Sequence, residues 1–178
     1  MVTQFEDFEI SAIHEGDAWK ICDLIVTNQD RFKRYFPKTL EQNLNPTLSQ
    51  LFVQKKVKQF KNKEEFLFTL KHSETRTLIG LIYIKELDWK IKQGEYAYCI
   101  DYSYKGQGIM TKAIAKLSEY AFEDLGLETL QIIVHKNNLG SVNVATNNNF
   151  VWQKTIVNGY TPPNEEPLDM ELYELYKS

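Results

Sequence analysis

The chain predicts a single α/β domain over residues 1–178, a mixed β-sheet with helices packed on it. Three observations carry this. Short apolar or alternating runs of β type recur along the chain, as at 66–72, 77–87 and 129–135. Segments with apolar residues at helical spacing stand between them, at 18–29, 48–62 and 109–125. At Gly106-Gln107-Gly108 a strand pattern passes directly into a helix pattern.

Phe8 to Ile13 alternates and predicts the first strand. Asp17 then caps a helix from Ala18 to about Gln29, with Ile21, Leu24 and Ile25 on one face. Arg31 to Pro46 is rich in aromatics and turn formers and predicts irregular chain. Thr47 is placed to cap a second helix, Leu48 to Asn62, with Leu51, Phe52 and Val57 inward. Phe66 to His72 and Thr77 to Leu87 are strands joined by the short turn Ser73-Glu74-Thr75-Arg76, a hairpin pattern. Gly94 to Asp101 is a further strand. The helix Ile109 to Leu125 sets Ala113, Leu117, Tyr120 and Ala121 at core spacing, and Gly126 ends it. Thr129 to His135, a helix Ser141 to Asn148, a strand Phe150 to Val157 and a strand Leu168 to Tyr176 complete the order. The segment Asn158 to Pro167 holds three prolines and predicts an irregular loop.

The glycine turn carries the chemistry. A helix that starts at such a turn presents unpaired backbone N–H groups in one direction, and its dipole favours negative charge there. A diphosphate is the natural ligand, and glycine leaves room for it to approach the backbone. The turn is not a dinucleotide fingerprint, because Thr111 holds the third glycine position, and it is not a P-loop. A plain tight turn is the alternative from these residues alone. The block that follows the next strand, Asn138-Leu139-Gly140-Ser141-Val142-Asn143-Val144, then Asn149-Phe150, narrows the choice.

Together the two blocks resemble the GNAT superfamily of N-acetyltransferases. The family signature Gln/Arg-x-x-Gly-x-Gly/Ala aligns on Lys105-Gly106-Gln107-Gly108-Ile109-Met110, with Lys105 and Met110 departing from it. The later block is similar to Asn-x-x-Ser-x-x-Val followed by Gly-Phe, with Asn149 in the glycine place. Asparagine tolerates the left-handed backbone such a helix end needs. Gly94-Glu95-Tyr96-Ala97-Tyr98 and Asn158-Gly159-Tyr160 make the chain similar to the branch that acetylates the N-terminal serine or alanine of ribosomal proteins.

The resemblance implies an acyl-CoA N-acyltransferase fold: a mixed, mostly antiparallel central sheet with a V-shaped splay, flanked by helices. It implies acetyl-CoA as co-substrate, no metal, and direct transfer to a primary amine. Ile100, Tyr102, Lys105, Gly106, Gln107, Gly108, Ile109, Met110, Thr111, Asn138 and Ser141 are then the cofactor-binding residues. Glu95 is the expected base and Ser141 the expected acid at the departing sulfur. His135 ends a strand near them and offers an alternative base or a structural histidine. Phe32, Tyr35, Phe36 and Tyr160 are the expected walls of the acceptor site. Where the branch has another glutamate, three positions before Asn-Gly, this chain has Thr155, which accepts no proton at neutral pH.

Charge and cysteine content bound the partners. A net charge of −3 argues against non-specific nucleic-acid binding, and the lysines from Lys55 to Lys63 read as a solvated helix face. The two cysteines, Cys22 and Cys99, form no metal or disulfide pattern, and Cys99 lies in a predicted buried strand. Met1 to Ile13 lacks the pattern of a secretory signal, and no apolar run reaches membrane-span length, so a cytoplasmic location is expected. The acceptor is expected to be a peptide N-terminus or a small amine such as a polyamine, amino sugar or aminoglycoside, the latter kept open by Glu165, Glu166 and Asp169. A homodimer and a non-catalytic acyl-CoA-binding module are further possibilities.

Overall fold

Two strands apolar on both faces set the centre of the sheet. β3 (Phe66–His72) and β4 (Leu78–Asp88) are buried along nearly their whole paired length, so both faces must be covered by other elements. The structure is a computed structural model covering residues 1–178. The remaining strands are β1 (Thr3–Phe5), β2 (Phe8–Ala12), β5 (Gln93–Ile100), β6 (Thr129–Val134), β7 (Val151–Tyr160) and β8 (Leu168–Tyr176). All eight form one sheet in the order β1-β2-β3-β4-β5-β6-β8-β7. β5 and β6 pair in parallel, from Gln93 opposite Thr129 to Tyr96 opposite Ile132. β1–β2, β2–β3, β6–β8 and β7–β8 pair antiparallel. The helices are α1 (Ala18–Thr27), α2 (Gln29–Phe32), α3 (Pro37–Glu41), α4 (Pro46–Lys61), α5 (Ile109–Glu123) and α6 (Leu139–Asn147). The contacts group into two compact units, residues 1–83 with 98–105, and residues 84–97 with 106–178.

In the first unit, Ile21, Leu24 and Ile25 of α1, Phe52 and Val53 of α4, and Phe66, Phe68 and Leu70 of β3 are buried. Phe60 stands edge-on to Phe66 and Phe68, with centroids 4.9 and 5.3 Å away. Lys71 Nζ meets Asp17 Oδ1 at 2.6 Å with both side chains buried. Asp17 therefore does not cap α1. Its other oxygen accepts from His14 N at 2.9 Å, and His14 Nδ1 accepts from Gly16 N, closing a single 3-10 turn ahead of the helix. The second cap also moves. Asn45 Oδ1 accepts from Leu48 N at 2.9 Å and Pro46 opens α4, which puts Thr47 inside the first turn.

The segment expected to be irregular, 31–46, holds α3 and the end of α2. Pro37 starts α3 with its φ already helical. Buried polar groups knit it: Thr39 Oγ1 to Tyr83 Oη at 2.9 Å, Asn43 Nδ2 to Thr39 O at 2.8 Å, and Ser49 Oγ to Asn43 Oδ1 at 2.8 Å. Helices this short have too few turns to show a period in the sequence.

In the second unit, α5 buries Ile109, Met110, Ala113, Ile114, Leu117 and Ala121. Ser118 is buried as well, sharing a hydrogen bond with Tyr96 Oη at 2.9 Å, while Tyr120 is only half-buried. β6 alternates, with Leu130, Ile132 and Val134 inward. Asn149 adopts a φ of 63° after α6, as its place in the block predicts. β7 runs on to Tyr160 through irregular register, with Asn158 at a φ of 52°. Asn158-Gly159-Tyr160 is thus part of the strand, and the proline loop shrinks to 161–167.

Gly80 sits mid-strand in β4, where a Cβ would lie 2.7 Å from the Cys99 carbonyl oxygen. A backbone carbonyl cannot yield as a flexible side chain does. Gly80→Ala is expected to cost about 1–3 kcal/mol of stability, read as a lower denaturation midpoint with an unchanged slope.

Candidate active site

The turn between β5 and α5 has the backbone the sequence calls for. Gly106 and Gly108 are both left-handed, with φ of 76° and 74°, and a Cβ on either would meet nothing within 4 Å. The glycines are therefore required by conformation and not by crowding. Gly108 is the N-cap of the 15-residue α5 and has no side chain to satisfy the helix. The helical ladder begins with Lys112 N donating to Gly108 O at 3.2 Å, so the amides of Ile109, Met110 and Thr111 precede it. No acidic residue lies in the first turn. Ile109 and Met110 bury their side chains in the core, at 5% and 7% exposure. Met110 in place of a small residue is absorbed there, and what it presents at the turn is its amide. Thr111 O accepts from Asn148 Nδ2 at 3.0 Å, which ties the end of α6 to the start of α5.

The chain leading into the turn belongs to the first unit and is held by one side chain the sequence did not single out. Asn28, 4% exposed, donates from Nδ2 to Leu24 O at 2.9 Å and to Asp101 Oδ2 at 2.8 Å. Its Oδ1 accepts from Tyr102 N and from Arg31 Nη1, both at 3.0 Å. Arg31 Nη1 also donates to Ile100 O at 3.0 Å, and its guanidinium lies over the Phe32 and Tyr102 rings. Asp101 Oδ1 accepts from Ser103 N at 2.8 Å and starts a 3-10 turn over Tyr102–Tyr104.

The Tyr102 amide is engaged by Asn28, and its carbonyl accepts from Lys105 N at 3.2 Å with a second lone pair to spare. The Ile100 carbonyl keeps a second lone pair beside the Arg31 bond. Burial alone would raise the Asp101 pKa, but hydrogen bonds from Asn28 and Ser103 and the Arg31 charge hold it below the ordinary value. A cleft of about 480 Å³ in the same unit is lined by Trp19, Asp23 and Asp101 among others, but by none of the turn glycines.

In the second unit, Asn138 caps α6, its Oδ1 accepting from Ser141 N at 3.5 Å, and Ser141 is half-buried in the first turn. His135 closes the preceding turn: its carbonyl accepts from Asn138 N at 2.9 Å and its Nδ1 from Asn137 N at 3.4 Å. That engagement supports the structural reading of His135. Glu95 is half-buried on β5, opposite Gln131. Burial raises its pKa, the Lys85 charge opposes this and Glu86 adds to it, the tendency wanted in a base working near neutrality. Tyr160 ends β7, half-buried.

Among the aromatics of the first unit, Phe32 is 3% exposed and stacks edge-on with Phe36 at 6.2 Å, so it belongs to the core behind Phe36. Tyr35 and Phe36 are half-buried. Burial pushes the Cys99 thiol up to about 12, which removes it as a nucleophile.

The Asp101 network predicts a pH dependence. A carboxyl whose pKa is lower folded than unfolded contributes stability above its unfolded value, and that contribution is lost as pH falls through the folded value. Asp101→Asn is expected to be less stable than the parent at neutral pH, with the gap closing below the ordinary aspartate value of 3.8. Thermal melts from pH 7 to pH 2.5 read this; parallel curves would refute it.

The glycine turn and its open approach fit a diphosphate-bearing acyl carrier. Comparison with known proteins agrees. The acetyltransferase (GNAT) domain family matches residues 8–151. YdaF of Bacillus subtilis (strain 168), provisionally named a ribosomal N-acetyltransferase, is 27% identical over 127 residues, covering 71% of this chain and 68% of its own. The ribosomal-protein-S5-alanine acetyltransferase of Vibrio fischeri has the same fold at a TM-score of 0.90 and 20% identity, covering 98% and 95% of the two chains. RimL, an L7/L12 α-N-protein acetyltransferase solved with coenzyme A, superposes at 0.89 with 16% identity, covering 98% and 97%. The turn, the capped Ser141 helix and the family match lead to one conclusion: this chain belongs to the GNAT acetyltransferases and is an acetyl-CoA-dependent acyltransferase.

Proposed function

We propose that this enzyme acetylates the N-terminal α-amine of a protein, of the ribosomal-protein type, and that it acts in the cytoplasm as one catalytic domain. The family match running through both compact units supports the single domain. The observation that carries the donor half is the pair of left-handed glycines heading α5. The acceptor half is supported by likeness over nearly the whole chain to two enzymes named for ribosomal proteins.

In this reading the amides of Gly106 through Thr111 grip the diphosphate, and Lys105 adds charge beside it. The Ile100 carbonyl lies on the strand that leads to them. When bound, acetyl-CoA supplies a thioester whose acetyl group passes directly to the amine, with the thiol as leaving group. Glu95 draws the amine proton through water, favoured by its raised pKa. Ser141, oriented by the Asn138 cap, donates toward the departing sulfur. Tyr35 and Phe36 in the first unit, with Phe32 supporting Phe36, and Tyr160 in the second are the residues this reading assigns to the acceptor.

Gly108→Val is expected to weaken acetyl-CoA binding at least about tenfold, the worth of one charge-assisted hydrogen bond, because the left-handed backbone is denied to valine. Calorimetry checks this, and unchanged affinity would refute the turn as the donor site. Glu95→Gln is expected to lower kcat by about 10²–10⁴ at unchanged acetyl-CoA affinity and to abolish the acid limb of the rate profile. A thiol-release screen of ribosomal-protein N-terminal peptides, polyamines and aminoglycosides tests the acceptor, with the peptides expected to turn over fastest.

A further inference from the structure

Gln131 stands between two carboxylates. It lies opposite Glu95 of β5 in the parallel pairing and opposite Glu174 of β8 in the antiparallel pairing. Directly opposed residues share a face, so the three side chains form a row across three strands of the second unit. All three are half-buried. The row stands at the last paired level but one: β5 and β6 stop pairing after Tyr96 and Ile132, though the strands run on to Ile100 and Val134. From there β5 leads to the glycine turn, and β6 to the Asn138 cap that holds Ser141.

The row is locked from its β8 side. Glu174 Oε2 accepts from Gln131 Nε2 at 2.8 Å, and Glu174 Oε1 accepts from Tyr176 Oη at 2.8 Å. An ionised carboxylate only accepts, so the Gln131 amide has one stable orientation. Turned over, its carbonyl oxygen would face the Glu174 carboxylate. With the NH2 group committed to β8, the carbonyl is what Gln131 has to offer β5.

Glu95 is the group on that side. No hydrogen-bond donor reaches it; burial acts on it, with the charges of Lys85 and Glu86 on β4. β6 carries no ionisable residue, and Glu174 lies two strand spacings away, about 10 Å. That is about one Debye length at about 0.1 M salt, so the Glu174 charge reaches Glu95 mostly screened. A carbonyl on the adjoining strand acts at contact range. It accepts from the protonated carboxyl and repels the ionised one, so it strengthens the hold of Glu95 on a proton.

We propose that Gln131, oriented by Glu174, is a positioning residue for the base: it presents its amide carbonyl to Glu95 and so makes Glu95 the stronger proton acceptor. This rests on Glu95 being the base of acetyl transfer, but its first test needs no turnover. Protein labelled with ¹³C-glutamate reports the titration of the Glu95 carboxyl carbon, assigned by its loss in Glu95→Gln. Glu174→Leu frees the amide to turn its NH2 group toward Glu95. It is expected to lower the proton affinity of Glu95 about tenfold, the worth of one hydrogen bond to a charged group. In a Gln131→Met background the same Glu174→Leu change is expected to move Glu95 little, because the amide that carries the effect is gone.

In turnover, Glu174→Leu is expected to displace the acid limb of the kcat/KM profile to lower pH by the same factor, with acetyl-CoA affinity unchanged. A Glu95 titration that stays put in Glu174→Leu overturns the proposal. So does an equal fall in the Gln131→Met background, which would place the effect on the Glu174 charge itself. A Glu95 titration that moves while the acid limb does not would instead overturn Glu95 as the base and leave the Gln131 contact standing.

Discussion

A chain that turns left-handed twice within three residues can do so cheaply only with glycine, and everything around residues 105–112 follows from that constraint. Two left-handed positions let α5 begin abruptly, with no side chain at its N-cap and three amides ahead of the ladder. The same abruptness needs an anchor. Ile109 and Met110 supply it from within, by burying in the core the side chains whose amides face the turn. Asn148 supplies it from α6, by holding the Thr111 carbonyl. The exposed polar backbone is thus backed by apolar side chains of the same residues.

Polar groups buried with their partners do the rest of the positioning. Asn28 uses both its donors and its acceptor on four different groups, and an asparagine is one of few side chains with that capacity at that length. The chain just before the glycine turn is consequently fixed by a helix more than seventy residues earlier. Asp17 and Lys71 show the same economy at the other end of the first unit, where a buried pair is tolerated because His14 N occupies the remaining aspartate oxygen.

Much of this was legible in the sequence. β3, β4, β5, β6 and β8 lie within about a residue of where period and apolar runs put them, because β3, β4 and β6 bury whole faces and β5 and β8 bury apolar residues at alternating positions. The glycine turn and α5 were legible because helix amphipathicity and a required left-handed backbone leave direct marks. α2, α3 and β1 were not, being too short to carry a period. The caps went wrong at Asp17 and Thr47 for different reasons. Asp17 spends its carboxylate on Lys71 and His14 N, while Thr47 has a better-placed neighbour in Asn45, with Pro46 fixing the first turn. At the turn, Gly106, Gly108, Asn138 and Ser141 follow from local chemistry, while Asn28 gains meaning only from a pairing 74 residues apart.

The burial of Cys22 and Cys99 has a further consequence. An enzyme that liberates a small thiol at every turnover is continuously exposed to mixed-disulfide formation with its own product. Burial keeps the Cys99 thiol protonated, so it withholds the thiolate that exchange requires. The Cys22 sulfur is buried as well, so a liberated thiol meets no surface sulfur at either position.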